Sequence, residues 1–588
     1  MKQFFISFLG TLTALLVAVL IFVLVIAGMF SAAVSIGEKT FHVKTNSVLH
    51  IKLDTPINDR GTKNPFKNFD FGSMKSQPDL GLNDILENIK QAKTDSSIRG
   101  IYIDISFIPS GIATVEAIRN SLLDFKKSGK FIISYSEFYT QKAYYLASVS
   151  DKIYLNPQGL LEWKGISTQV MFFKGLFNKL DVDMQIFRHG KFKSAVEPFD
   201  LEKMSAANRK QTMAYTGSIW DYLLKGISAE RKISVDELNK MADDMLIENA
   251  ESAVKYGLAD ELKFKDEVLD ILKSKLSIQE KDKINFVSIG DYDRSVKKIN
   301  NKTKEKIAVV YAEGEIRGGD GDDEVIGSER ISKALRDART DTTIKAIVLR
   351  VNSPGGSALA SDVIWREVLL TQKVKPIIVS MGNVAASGGY YIACAADAIV
   401  AEPNTITGSI GVFGLLPNLQ KFYNNKLGIT IDTANTNRHS DIGSVFRPVK
   451  PEEAAVIQKS VEKIYTDFIT KVADGRKMTP AEVDSIGQGR VWSGIDAKKI
   501  GLVDELGGIE VALAMAAKKA KLENYKLVEL PKLKDAFEEL LKEFSGDDGE
   551  SKIMQKELGE YYQQYKYMKS ITNLKGVQAR LPYDIVIE

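Results

Sequence analysis

The sequence predicts an α/β protein: two tandem copies of one βαβ domain, preceded by a single transmembrane helix. Three observations predict it. An uncharged, mostly apolar run covers residues 3–37. The residue pattern of 95–165 returns at 341–411 with one constant spacing. Within each copy, β-branched runs alternate with segments apolar at helical spacing, which gives stacked βαβ units and a mostly parallel sheet.

The apolar run comes first in the chain. "FFISFLGTLTALLVAVLIFVLVIAGMF" exceeds the ~7–15 apolar residues of a signal peptide and reaches the ~20 that span a bilayer. "SAAVS" at 31–35 has the small residues of a cleavage site, so a removed signal peptide is the alternative to an uncleaved anchor. Lys2 places the short stub in the cytoplasm and the body outside. Residues 1–44 are thus expected to form stub, anchor and juxtamembrane segment.

The first copy is expected over 45–292. A strand ("SVLHIKL") is followed by a helix carrying Ile85, Ile89 and Ala92, then a buried strand ("IRGIYIDI"), a turn, a second helix and the strand "FIISYS". An insertion at 57–79 reads as a long mobile loop. A polar, basic segment, 293–306, links the copies. The second copy, over 307–524, repeats the order: "KIAVVYAEGEI", a helix with Ile331, Leu335 and Ala338, then "IKAIVLRV" and "PIIVSM". Residues 525–588 read as a charged helical tail.

Bulk composition excludes some functions. At 588 residues the chain is too long for one core. A net charge of +3, from 79 basic and 76 acidic residues, leaves no positive field for nucleic acid. The single cysteine, Cys394, excludes intrachain disulfides and cysteine metal sites, and its apolar surroundings make it a buried small side chain.

The duplication isolates the chemistry. Positions 95/341, 151/397 and 157/403 all keep a spacing of 246. In that register Ser387, in "GNVAASGGYYIA", faces Gln141, and Gly389 faces Ala143. The turn "SPGG" (353–356) faces "FIPS" (107–110). The second copy therefore holds a serine in a small-residue turn and a glycine turn with bare N–H groups, and the first copy holds neither. Had packing required them, both copies would keep them.

A nucleophilic serine needs a base. The four histidines, His42, His50, His189 and His439, show no Ser-His-Asp spacing, although His189 and His439 stay open as candidates. A desolvated lysine can serve instead. Lys193 lies in "RHGKFKSAVEPF"; aligned on Phe199 and Phe446, it faces Ser440 at a spacing of 247. The first copy has a candidate base without a nucleophile, and the second has the reverse. Lys191 is the rival lysine. Glu197 reads as a capping or pairing carboxylate without a catalytic role.

Together "VNSPGGS", "AASGGYYIACAAD", "TGSIGVFG" and "GKFKSAVEPF" resemble the long, duplicated form of the signal peptide peptidase A (protease IV) family. The resemblance implies a crotonase-like fold shared with the Clp proteolytic subunit, and a Ser/Lys dyad. It implies Ser387 as nucleophile, Lys193 as general base and Ser409 as the residue that orients the lysine, with an oxyanion hole at Gly355, Gly356 and Gly388. It further implies peptide substrates such as remnant signal peptides, a homotetramer, no cofactor or metal, and a place on the outer side of the bacterial cytoplasmic membrane. Two other readings remain at this point: a crotonase-type acyl-CoA enzyme and a non-catalytic membrane-anchored scaffold.

Overall fold

The computed structural model describes residues 2–37, 41–61, 69–70, 75–76, 80–295, 303–533 and 576–581, with the side chains of 2, 19, 22–37, 69–70 and 75–76 left aside. The first copy supplies β1 (Ser47–Ile51), β2 (Ile98–Asp104), β3 (Phe131–Tyr139), β4 (Lys152–Leu161), β5 (Asp183–Arg188), β6 (Glu261–Leu262) and β7 (Asn285–Ser288). Six of these form a parallel sheet in the order β6-β4-β3-β2-β1-β7. Helices Leu82–Thr94 and Ile112–Lys126 make the crossovers. Because helices cover such a sheet on both faces, β2 is buried along nearly its whole length rather than on alternate residues.

The second copy supplies β8 (Lys306–Glu313), β9 (Glu315–Arg317), β10 (Val325–Gly327), β11 (Ile344–Ser353), β12 (Gly355–Ser357) and β13 (Ile377–Ala386). It continues with β14 (Ala398–Ala401), β15 (Ile406–Gly408), β16 (Phe413–Asn418), β17 (Val491–Ser493), β18 (Glu505–Leu506) and β19 (Lys526–Leu530). Its main sheet runs β17-β15-β13-β11-β8-β19, with β14 and β18 continuing from β13. The β13-β11-β8 core matches β3-β2-β1 of the first copy in order and direction. The tandem α/β architecture is therefore present.

A third sheet, β10-β9-β12-β20-β16-β5, crosses the boundary between copies; β20 is Gln578–Arg580. In it β5 of the first copy lies antiparallel on β16 of the second, from Arg188 opposite Phe413 to Asp183 opposite Asn418. Side chains weld the copies elsewhere. Asn383 accepts from the Thr114 N–H at 3.0 Å and donates to its hydroxyl at 2.8 Å, capping a first-copy helix from the second copy. Asp59 and Arg350, both buried, pair at 2.7 Å across the same boundary.

Several expectations change. "KIAVVYAEGEI" is two strands in two sheets, because Gly314 at φ 101° turns the chain where a Cβ would stand 1.9 Å from the Glu324 carbonyl. The 57–79 insertion is pinned at its start by buried Asp59, and Phe69–Asp70 pairs with Lys75–Ser76; most of its remainder lies outside the described residues. So do 296–302 of the link and 534–575 of the expected helical tail. The described parts of that tail contain two strands, β19 and β20, and no helix; their carbonyl and N–H groups pair with β8 and β12.

One helix, Lys2–Gly37, runs through the apolar N-terminal stretch. Among the described residues no helix is long and apolar enough to cross a membrane. The expected transmembrane helix is accordingly not established by the fold.

Candidate active site

The stretch around Ser387 joins a strand to a helix. β13 ends at Ala386, Ser387 turns at φ 55° and ψ −112°, and a helix runs Gly388–Ala393. A side chain at such angles is strained, so surrounding contacts must hold it. The Ser387 N–H donates to the Gly408 carbonyl at 2.8 Å, and its own carbonyl accepts from the Tyr391 N–H at 2.8 Å. Gly389 must be small: a Cβ there would meet the Ser353 carbonyl at 2.7 Å.

The equivalent turn in the first copy is relaxed. Thr140 caps the helix Gln141–Ala147 in extended conformation, and the Gln141 side chain accepts from the N–H groups of Lys164 and Gly165, both at 2.8 Å. Gln141 thus ties down the loop that corresponds to Gly411. The hydroxyl of Ser387 reaches the Gly411 carbonyl itself, at 3.3 Å.

Lys193 arrives from the other copy. The β5–β16 pairing ends at Arg188, opposite Phe413, and the five residues after it carry the chain back over the 409–411 turn. The Lys193 amine nitrogen lies 2.8 Å from Ser387 Oγ, 3.0 Å from Ser409 Oγ and 3.3 Å from the Ser409 carbonyl, all within one chain. Lys193, Ser387 and Ser409 are each 0% exposed. Burial pushes the Lys193 amine well below the ordinary lysine range, because removal from water disfavours the charged form, and no carboxylate pairs with it among the described residues. Ser409 sits at φ 48° and is held by its N–H to the Arg490 carbonyl at 2.7 Å.

The glycine turn stands beside the serine. Gly355 and Gly356 have φ of 98° and 157°, which favour glycine. A Cβ on Gly355 would fall 2.7 Å from the Gly388 nitrogen, so this turn and the start of the serine's helix are in contact.

The other candidates sit elsewhere. Lys191 is exposed, with its cation over the Phe192 ring. His189 stacks on Tyr465 at 3.9 Å, His439 pairs with Glu453, and His50 pairs with Asp104. Glu197 accepts from Ser205 and Asn208, locking the segment that follows Lys193 onto the helix Ala206–Arg231.

Some contributors gave little local signal. Gly489, φ 83°, lies against the lysine backbone, where a Cβ would stand 2.6 Å from Lys193 Cα. Gln211 joins the Phe192 carbonyl and Ser194 Oγ, each at 3.0 Å, to the N–H of Val491. Only the "GQG" turn at 487–489 could have hinted at this wall.

Comparison with known proteins bears on the chemistry. The sequence profile of Peptidase family S49 matches residues 124–279 and 370–523, one match in each copy. The chain belongs to Peptidase family S49. Among its relatives, Protease 4 of Salmonella typhi is 40% identical over 76% of this chain and 73% of its own. The chloroplastic serine protease SPPA of Arabidopsis thaliana is 34% identical over 84% and 72%. Among solved structures, ClpP1 from Listeria monocytogenes is 18% identical over 34% of this chain and 91% of its own, with a TM-score of 0.23. As an S49 member the chain is a serine peptidase.

Proposed function

We propose that this S49 peptidase cuts extended peptides, remnant signal peptides among them, with Ser387 as nucleophile and Lys193 as its base. One observation carries the reading: a lysine amine, buried with no carboxylate partner among the described residues, 2.8 Å from a serine hydroxyl on a strained turn.

Neutral Lys193 takes the Ser387 proton as the oxygen attacks the scissile carbonyl. Ser409 fixes the lysine rotamer by accepting from it. The N–H groups of the Gly355–Gly356 turn and of Gly388 hold the developing oxyanion, an effect worth about 3–4 kcal/mol per donor. The lysine then passes its proton to the leaving amine, and C–N cleavage leaves an acyl-Ser387 ester. Water, deprotonated by Lys193, releases it.

The exposed apolar side chains Phe4, Leu9 and Leu15 on the first helix favour a membrane anchor, which would hold the site close to segments leaving the bilayer. A homotetramer and an extracytoplasmic body belong to the same reading. It is tested by mapping a fluorophosphonate adduct by mass spectrometry in wild type, Ser387→Ala and Lys193→Ala. Labelling is expected at Ser387 in wild type alone; labelling that persists in Ser387→Ala overturns the assignment.

A further inference from the structure

A cleft of about 760 Å³ lies where the two copies meet, and none of Ser387, Lys193 and Ser409 lines it. Its walls are the first copy's helices Leu82–Thr94 and Ile112–Lys126, the second copy's β8 and β19, and a helix Ile509–Lys519. Leu86, Val309 and Ile509 give it a buried apolar floor, and Leu513 beside them is half-buried. The rim is acidic: Glu87, Glu510 and Glu529 are exposed there, and Lys90 is the one cation among the described lining residues. An apolar floor with a few charged groups is the ordinary character of a small-molecule site.

Glu402 is the lining residue that points to a ligand. It follows β14, where the Gly507 N–H donates to the Ala401 carbonyl at 2.8 Å. Its carboxylate lies against that glycine turn, since a Cβ on Gly508 would stand 2.6 Å from Glu402 Oε1. The residue is 2% exposed, yet its Oε2 has no hydrogen-bond partner among the described residues. Buried carboxyl oxygens are seldom left bare. Glu116, also buried, shows the settled alternative: it accepts from Tyr145, Tyr222, Asn120 and, across the copy boundary, Asn404. Arg350 reaches Glu402 only through its field, because its hydrogen bonds go to Asp59, Ser380 and the Met381 carbonyl. Burial and the field of Glu116 hold the Glu402 carboxyl up at about 8; Glu510 and Tyr222 are the other titrating groups that face it.

We propose that this cleft binds a linear organic diamine, with one ammonium on Glu402, the alkyl chain over Leu86, Val309 and Leu513, and the second ammonium at the acidic rim. An ammonium brings three donors and the complementary charge to the bare oxygen. An uncharged apolar ligand would leave that oxygen unpaired. A metal ion lacks its ligand set, because no group of three His, Cys, Asp or Glu suited to one stands together among the described residues. A cation beside Glu402 favours the ionised carboxylate, so the carboxyl proton passes to solvent as the amine enters. The site is independent of the Ser387/Lys193 reading. A bound diamine touches helices of the first copy and strands of the second, so it braces the junction across which Lys193 reaches Ser387.

Titration calorimetry of the full-length protein with 1,5-diaminopentane tests this, with 1-pentanol as the uncharged control. Wild type is expected to bind the diamine at one saturable site per chain and to give no such heat with the alcohol. Proton release is expected as a binding heat that changes with the ionisation enthalpy of the buffer. Glu402→Gln, which keeps the shape and removes the charge, should weaken binding at least about tenfold and abolish the proton release. Glu510→Lys, on the exposed rim, should weaken binding about threefold or more and keep the proton release. Circular dichroism checks the fold of each variant; should Glu402→Gln fail to fold, Glu510→Lys and the wild-type proton release decide. No saturable heat up to about 10 mM diamine overturns the inference. So does 1-pentanol binding as tightly as the diamine, binding without proton release, or binding unchanged in both variants. Displacement of the diamine by an equal concentration of magnesium also overturns it, because the site would then answer to charge alone.

Discussion

Replacing Lys193 by methionine should change stability in opposite directions at two pH values. Lys193 is fully buried and its amine is held well below the ordinary lysine range. An unfolded lysine titrates near ~10.4, so if the folded amine is neutral at pH 7, as the proposed base role requires, folding strips a proton at a cost of up to about 4.6 kcal/mol, from about 1.4 kcal/mol per pH unit. Against this stand its hydrogen bonds to Ser387 and Ser409, three contacts worth about 1 kcal/mol each. Methionine fills the stem's volume and carries no charge. At pH 7 the variant should therefore be more stable than wild type by about 1–2 kcal/mol.

The sign then reverses. The unfolded chain holds a proton that the folded chain lacks, so wild type gains stability as pH rises through that window and the variant does not. By pH 9.5 the deprotonation cost has fallen to about 1 kcal/mol, and wild type should lead by about 2 kcal/mol. Other titrating groups are common to both proteins and cancel. Urea denaturation of both full-length proteins at the two pH values reads the difference. A gap that does not change with pH would mean Lys193 is charged in the folded state, and the neutral-base argument would fail.

Three further outcomes follow from the geometry. Gly489→Ala places a methyl 2.6 Å from Lys193 Cα at a positive φ, and a resulting shift of the amine should lower kcat/KM about a hundredfold with the fold retained by circular dichroism. Asp59→Asn leaves the buried Arg350 guanidinium without its carboxylate and should cost about 3–5 kcal/mol in denaturant titration. Lys191→Met, on an exposed side chain over Phe192, should leave kcat/KM within about twofold, as exposed positions away from packed features do.

The sequence made the halves legible and left their junction hidden. Strand and helix order in each copy follows from periodicity, which is local. Ser387 and Lys193 stand out because each copy lacks what the other has. How they meet depends on β5 and β16, whose facing residues Arg188 and Phe413 are 225 positions apart, and no local pattern encodes such a pairing. The wall at Gly489 was hidden for the same reason. β20 was missed because a three-residue strand beyond a charged stretch has too little periodicity to register.

The pairing of β5 with β16 also sets when the enzyme can first act. On the proposed assignment of Lys193 as base, translation delivers it long before Ser387 and Ser409, so a growing chain carries a base with nothing to activate. On that assignment reactivity begins only after residues up to β16 have been made and folded back on β5. A chain truncated or nicked apart between the copies keeps only one member of the pair. Under the proposed dyad the protein is a two-key device, inert in either part and armed by its own completion.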